Sequence, residues 1–547
     1  MKHNKLKRIF ALVVAATISA TVLVGCGDDS KNSGNNEQVL TYNLGADSKT
    51  LDPALNAAVD GGIVLSNAFE GLCRTDENDK AIAGGAESWT ISDDQLTYTF
   101  KLREDAKWSN GDKVTANDYE YAWKRVLNPA TGAEYAYQMY YIEGAEAYNT
   151  GAGSEDAVGV RALDDYTLEV KLHTPTSYFL ELTAFPCYFP VNKKVVEADA
   201  EWATKVDTFV SNGPFKMTEW NMKDSLVFVR NENYYNKDKV KLDKLVMKMV
   251  TDETSAFATF KAGDFDMIDV VPTSEIEAGL KDGSFVKFDN LGTYFLVVNT
   301  TGENAGDDVK KVLTDKKVRQ ALNLAIDRDS IVKNVTKGGQ IPAHSYIPEG
   351  IPGADGEDFA SKEYFKSSGD VAAAKKLLEE AGYKDGEGFP TITLLYNQEG
   401  SHGDIMQAVA DMWKKNLGIN VVLSQQEWKV FQQTRKDKNY QIARHGWLGD
   451  YVDPMTFLDM WTSTSPQNYA GFANEEYDNL VDSAIKETDA TKRDELMHKA
   501  EDILMDEMPA LPIYYYTQVK GIQPYVKDVR VSPLGFIYFD KAYIDGK

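Results

Sequence analysis

The sequence predicts an α/β protein of two or three lobes, one of them assembled from discontinuous pieces of chain. Three observations predict it. The chain has 547 residues, too many for one hydrophobic core. Between 315 and 440, strand-like runs alternate with amphipathic runs of helical length, the pattern of βαβ units with right-handed crossovers. The last strand-like runs, 511–516 and 535–539, are too short to form a domain and must return to an earlier sheet.

The elements follow in order. Residues 39–44 (VLTYNL) read as the first strand, and 57–69 repeats at helical spacing up to Gly71. Residues 96–102 (LTYTFKL) and 166–172 (YTLEVKL) alternate strictly and are strands. Between them, Trp108–Asp112 is a turn and 115–127 a helix, capped by Thr115 or Asn117 and stopped by Pro129. Residues 215–220 and 225–230 form a hairpin, 244–249 a strand, and 254–261 a helix ended by Gly263. Residues 265–270 and 294–299 are apolar strands. Helices follow at 315–326, at 370–381 before Gly382, and at 403–416. Strands are expected at 391–396, 419–423 and 440–444.

The amino terminus is a targeting signal. A basic MKHNKLKR precedes an apolar IFALVVAATISATVLV, too short and too closely followed by cysteine for a membrane span. It leads into Leu23-Val24-Gly25-Cys26, which resembles a bacterial lipobox. That motif implies cleavage of residues 1–25 and diacylglyceryl modification of Cys26. Residues 26–38 then read as a polar flexible tether. Two acyl chains anchor stably, so the expected location is extracytoplasmic, at the cell membrane.

Loss of residues 1–25 removes Lys2, Lys5, Lys7 and Arg8 and no acid, taking the net charge from −25 to −29. A body this acidic excludes nucleic acid as a partner. Cys73 and Cys187 sit in apolar settings (FEGLCR, TAFPCYFP), compatible with one disulfide or with two buried thiols. No HExxH, G-x-S-x-G or Walker A motif is present, so no enzymatic activity and no cofactor are expected. Acids such as Glu475 and Glu476 fall on a helical face and read as solvated. His173, His344, His445 and His498 follow no metal-ligand spacing, and no metal site is expected.

The stretch 440–457 (YQIARHGWLGDYVDPMTF) stands out as a candidate site. It reads as a short strand entering a glycine-punctuated turn that holds Trp447 and Asp450. An acid beside Trp447 and Tyr451 suits an amine or organic cation. Taken alone, Asp450 reads as a turn or capping residue.

Four segments, LTYTFKLREDAKWSNGDKVTANDYEYAWKR (96–125), SNGPFKMTEW (211–220), RQALNLAIDRDSIV (319–332) and LLYNQEGSHGDIMQAVADMWKKNLGINVVLSQQEWKVFQQTR (394–435), together carry a resemblance. In their order and spacing the chain resembles the family 5 solute-binding proteins of peptide-importing ABC transporters, in particular their oligopeptide-binding members. The resemblance covers essentially everything after the tether. It implies a class II periplasmic-binding-protein fold with an extra domain, its two lobes closing on an extended peptide. Implied boundaries are 39–76, 206–300 and 517–547 for lobe I, 77–205 for the extra domain, and 301–516 for lobe II.

The resemblance also implies site residues. Asp450 pairs with the peptide α-ammonium. Arg444, Arg435 and His402 meet the terminal carboxylate of successively longer peptides. Asn397, Trp428, Trp447 and Tyr294 line the cleft, with Gly446 and Leu448 beside them. The family's disulfide-forming cysteines are replaced here by Leu448 and Leu291. Implied partners are an oligopeptide, the permease of an ABC importer and the membrane through the lipid, the protein itself being a monomer. Receptors of the same fold for dipeptides, signalling peptides, metal chelates, haem or sugars are the alternatives, and a glycosidase would need two facing carboxylates. Taken without the resemblance, Arg435 reads as a solvated charge in RKDKN and His402 as the first residue of a helix.

Overall fold

Two strands, Phe285–Val298 and Ala510–Ile522, run through the centre of the protein and belong to both halves of its main sheet. The computed structural model describes residues 37–547, except 46, 47 and 399. The signal segment, Cys26 and most of the tether lie outside the described residues.

The main sheet takes the order Val421–Gln426, Ile392–Asn397, Ile442–Leu448, Phe285–Val298, Ala510–Ile522, Met267–Ile268, Val39–Asn43, Lys244–Lys248, Ser225–Arg230, Phe215–Asn221. The long strands are antiparallel and pair twice. Phe285–Asp289 pairs with Gly521–Thr517, and Thr293–Val297 with Tyr515–Ala510. Between these segments the ladder breaks, with Asn290, Leu291 and Gly292 set against Tyr516 alone. Such a bulge bends a strand and re-aims its side chains. A second irregularity after Tyr294 accommodates Pro512, which has no N–H to give to a ladder. One half of the sheet is thus built from chain near the amino terminus, residues 215–268 and the carboxyl-terminal end of the chain. This confirms the discontinuous lobe.

The other half contains a parallel unit. Ile392–Asn397 leads into the helix His402–Leu417 and on to Val421–Gln426, and Ile442–Leu448 is parallel to Ile392–Asn397 on its other side. Ile405, Met406, Val409, Trp413 and Leu417 recur at helical spacing and are buried. The Trp413 indole N–H donates to the Leu322 carbonyl at 2.9 Å. Gly418 ends the helix at φ +75°, where an added Cβ would stand 2.2 Å from the Asp385 carbonyl oxygen.

A separate four-stranded antiparallel sheet, ordered Ala86–Ile91, Thr97–Leu102, Thr167–Lys171, Val160–Asp164, forms the extra domain with the helix Ala116–Leu127. Phe100, Leu102, Leu168 and Val170 are buried, as are Tyr119, Trp123 and Val126 of the helix. Thr115 and Asp118 cap that helix reciprocally, with the Thr115 N–H donating to Asp118 Oδ2 at 2.8 Å.

Several expected boundaries move. The strand expected at 440–444 runs Ile442–Leu448, so Gly446, Trp447 and Leu448 are strand residues and only Gly449 and Asp450 lie in the turn. It continues because its neighbour, pairing from Gly292 to Val298, is long enough to satisfy its backbone. The strand at 294–299 begins at Phe285; Val286, Lys287 and Asp289 are exposed there, which hides the ladder from a hydrophobicity pattern. The strand at 265–270 contracts to Met267–Ile268, and 535–539 to Ile537–Tyr538. Cys73 and Cys187 are both buried as free thiols. Among the described residues, no helix is long and apolar enough to cross a membrane.

Candidate functional site

Every candidate residue except Tyr294 lies at or just beyond the carboxyl end of a parallel strand, or along one of these strands. Asn397 ends its strand, with Gln426 as its neighbour in register, and is 4% exposed. His402 starts the helix that follows. Trp428 and Arg435 are the first and last turns of Trp428–Lys436, directly after Val421–Gln426. Arg444, Gly446, Trp447 and Leu448 lie along the third parallel strand, and Asp450 follows it. The carboxyl ends of parallel strands are where open α/β sheets bind ligands, because connecting loops part there.

Arg444, Gly446 and Leu448 share one face, since strand side chains alternate. Tyr294 is opposite Gly446 in the ladder, so it projects to the same face. Its ring stacks on Tyr514 at 4.7 Å, carries the Arg444 guanidinium 5.2 Å from its centroid, and sets its hydroxyl 3.1 Å from His402 Nδ1. Tyr516 closes the group, accepting a 3.4 Å hydrogen bond from Arg444. Gly446 is required by this packing: an added Cβ would lie 2.2 Å from the Tyr516 hydroxyl.

The cations here have no acid among the described residues. Arg435 is 6% exposed and lies over the rings of Phe431, Tyr469 and Trp428 at 4.5, 5.5 and 5.9 Å. Burial, then the field of Arg444, lowers its pKa to about 10, so it remains charged at neutral pH. His402 is pushed down to about 3 by burial and then by Arg444, and is a neutral imidazole. The solvated loop reading of Arg435 is therefore corrected: the helix Trp428–Lys436 turns it inward onto aromatic faces.

At the far end the charge is reversed. Asp450 has no ion-pair partner among the described residues. Gln138 donates to its Oδ2 at 2.6 Å and the Tyr137 hydroxyl at 3.4 Å, both from the short helical turn Ala136–Met139 of the extra domain. Burial pushes the Asp450 carboxyl up to about 7, against the pull of Tyr137, Gln138 and Tyr135. The Asp450 N–H donates to Thr456 Oγ1 at 3.1 Å, and the Trp447 indole to the Thr456 carbonyl at 2.7 Å, which fixes the turn. Near Asp450, Tyr451 stacks on Tyr178 of the extra domain with centroids 4.2 Å apart. At the bulge Leu448 stands opposite Gly292, and the carbonyl of Leu291, itself 4% exposed, accepts from the Gly449 N–H at 2.8 Å. Trp428, 37% exposed, stacks on Phe431.

Sequence reasoning missed Tyr135, Tyr137, Gln138, Tyr514 and Tyr516. The available signal was tyrosine density, in YAYQMYY at 135–141 and YYY at 514–516.

Comparison with known proteins adds relatives. The model of the bacterial extracellular solute-binding proteins, family 5, matches residues 80–469. The oligopeptide-binding protein OppA of Bacillus subtilis is 41% identical, covering 98% of this chain and 100% of that protein. The dipeptide-binding protein DppE of the same organism is 39% identical, covering 96% and 95%. Among solved structures, Haemophilus influenzae OppA in complex with RPPGFSPFR superposes with a TM-score of 0.81 at 33% identity, covering 93% of this chain and 99% of that one.

Proposed function

The chain belongs to the bacterial extracellular solute-binding proteins of family 5, and on that premise we propose that it is an extracytoplasmic receptor that encloses extended oligopeptides and delivers them to an ABC importer. The observation that carries this reading is the charge layout of the cleft. Among the described residues, Asp450 has no cation at one end, and Arg444 and Arg435 have no acid at the other. A free peptide is the complementary object, with one ammonium and one carboxylate. Enclosing either unpaired is costly, so each end needs its counter-charge.

In this reading Asp450 receives the α-ammonium. Arg444, Arg435 or His402 receives the carboxylate according to length, the guanidinium forks through paired charge-assisted hydrogen bonds. The strand from Arg444 to Leu448 spans about 13 Å, or about four residues of extended chain. Tyr294, Asn397, Trp428, Trp447, Gly446 and Leu448 supply walls, and main-chain pairing of strand-addition type leaves side-chain identity largely unread. Lobe I comprises 39–76, 206–300 and 517–547, lobe II 301–516 and the extra domain 77–205, with closure about the bulged long strands. Diacylglyceryl-Cys26 tethers the monomer to the membrane, and the protein performs no catalysis.

Similarity to DppE supports a second reading, a dipeptide receptor. The spread of cationic side chains from Arg444 to Arg435 favours longer ligands. Native mass spectrometry of protein purified without denaturation separates the two. Co-purified peptides of three residues or more support the first reading, dipeptides the second, and non-peptide cargo overturns both.

A further inference from the structure

We propose that Arg435 and Arg444 act together as a double-cation pocket that selects peptides bearing a second carboxylate, on the side chain of an acidic last or penultimate residue. The inference rests on the peptide-receptor reading and deepens it by naming a preferred class of peptide.

Both guanidiniums are under-used. Arg435 makes no side-chain hydrogen bond among the described residues, and its Nε is buried without a partner. Among the described residues Arg444 meets only the neutral hydroxyls of Tyr516, at 3.4 Å, and Tyr294, and its Nε is likewise buried and unpartnered. Arg435 lies over the Tyr469 ring at 5.5 Å, and Tyr469 packs 5.4 Å from the ring of His445, the residue next to Arg444, which brings the two guanidiniums to one stretch of the cleft; the field of each reaches the Tyr516 hydroxyl.

The other enclosed arginines of this protein provide an internal contrast. Arg74 meets Glu70 and Asp540 at 2.9 and 2.8 Å, Arg493 meets Asp453 at 2.7 Å, and Arg319 and Arg530 meet Glu507 and Asp79 at 3.2 Å. Arg328, fully buried, has no carboxylate partner among the described residues but gives its N–H groups to the carbonyls of Asn323, Ile326 and Pro512. Among the described residues these enclosed guanidiniums have acid or carbonyl partners, so two neighbours without them mark a place where donors await a ligand. The whole chain carries −25, so the basic pocket is no by-product of composition.

The charge count makes the choice of ligand. His402 and His445 are both neutral, held down by burial and by the nearby guanidiniums. The pocket therefore carries the two arginine charges. One terminal carboxylate neutralises one of them and leaves the other enclosed, an expensive arrangement in a closed cleft. A second carboxylate on the same or adjacent residue lies within about one extended-chain step, 3.3 Å, and removes the deficit. His445 Nε2, buried and unpartnered, and stacked through its ring on Phe295 at 4.8 Å, adds a neutral polar atom near Arg435.

The test is calorimetry on protein stripped of co-purified peptide, with free-amino peptides of about three to five residues. At each length, all-alanine peptides are compared with versions ending in Asp, Glu, Asn or Gln. The acidic versions are expected to bind about tenfold or more tighter than their amide isosteres at one length at least, the scale of one charge-assisted hydrogen bond. Arg435→Gln is expected to abolish that preference, and Arg435→Lys to retain part of it. Equal affinity for acidic and amide endings at every length overturns the inference while leaving the receptor reading intact. A preference that survives both Arg435→Gln and Arg444→Gln overturns it as well. Failure of every peptide to bind removes the receptor reading itself. Should Arg435→Gln fail to fold, the wild-type series and Arg435→Lys decide.

Discussion

Gln138 and Asp450, 312 positions apart in sequence, are joined by a 2.6 Å hydrogen bond from the Gln138 amide to the Asp450 carboxylate. It ties the extra domain to the turn beyond the third parallel strand. It also fills part of the space that an ammonium ion would occupy at Asp450. In the proposed reading, peptide binding exchanges neutral donors for a charged one, and the predictions for this end of the cleft follow from that exchange.

Asp450→Ala is expected to weaken binding of free peptides by about 2–5 kcal/mol, the cost of truncating one partner of an enclosed charge pair. N-acetylated peptides, which lack the ammonium, should bind wild-type protein with a similar loss and be indifferent to the substitution. Isothermal calorimetry checks both, and unchanged affinity in either would remove Asp450 from the site.

The pH dependence has a definite sign. Burial raises the Asp450 carboxyl to about 7 in the peptide-free protein, and an ammonium partner favours its ionised form. Affinity should thus fall as pH drops through about 7, and binding below that pH should release a proton, seen as buffer-dependent heat. Stability runs the opposite way. The folded protein holds the Asp450 proton between about pH 4 and about 7 while the unfolded chain does not, so this stabilising contribution is lost as pH rises through that window. Peptide-free Asp450→Asn should accordingly gain melting temperature relative to wild type as pH rises from about 4 to about 7.

Gly446→Ala places a methyl 2.2 Å from the Tyr516 hydroxyl. Overpacking of this kind costs about 1–3 kcal/mol, and here it also displaces a hydrogen-bond acceptor of Arg444. Adding Tyr516→Phe, which removes that hydroxyl, should restore most of the stability in thermal melts. No recovery would show that the strain lies elsewhere.

Cys26→Ser should move the protein from the membrane fraction to the soluble fraction, because the thioether-linked lipid is the proposed anchor. Fractionation with immunoblotting reads the outcome. Persistent membrane association would favour an uncleaved amino-terminal anchor.

Most element types were legible in the sequence because each carries a local pattern. Thr97–Leu102 alternates, Ala116–Leu127 is capped by Thr115, and His402–Leu417 repeats its apolar face before Gly418. Less legible were Phe285–Asp289 and Gly446–Leu448, where exposed or glycine positions interrupt the pattern. Pairing with a long neighbour, rather than side-chain alternation, holds those residues extended.

The sequence alone determined the α/β class, the family resemblance with its implied acid and cations, and the acidic composition, and it alone supplies the proposed lipobox. These depend on composition, on short-range periodicity and on motif spacing, which the linear chain carries in full. Only the tertiary structure decided which groups lack counter-charges. It brought Gln138 and Tyr137 onto Asp450, buried Arg435 against Phe431 and Tyr469, and set Tyr294, Tyr514 and Tyr516 around Arg444. The physical reason is that whether a charge is partnered depends on contacts across hundreds of residues and on the water that burial removes, and neither is a property of any local stretch of chain.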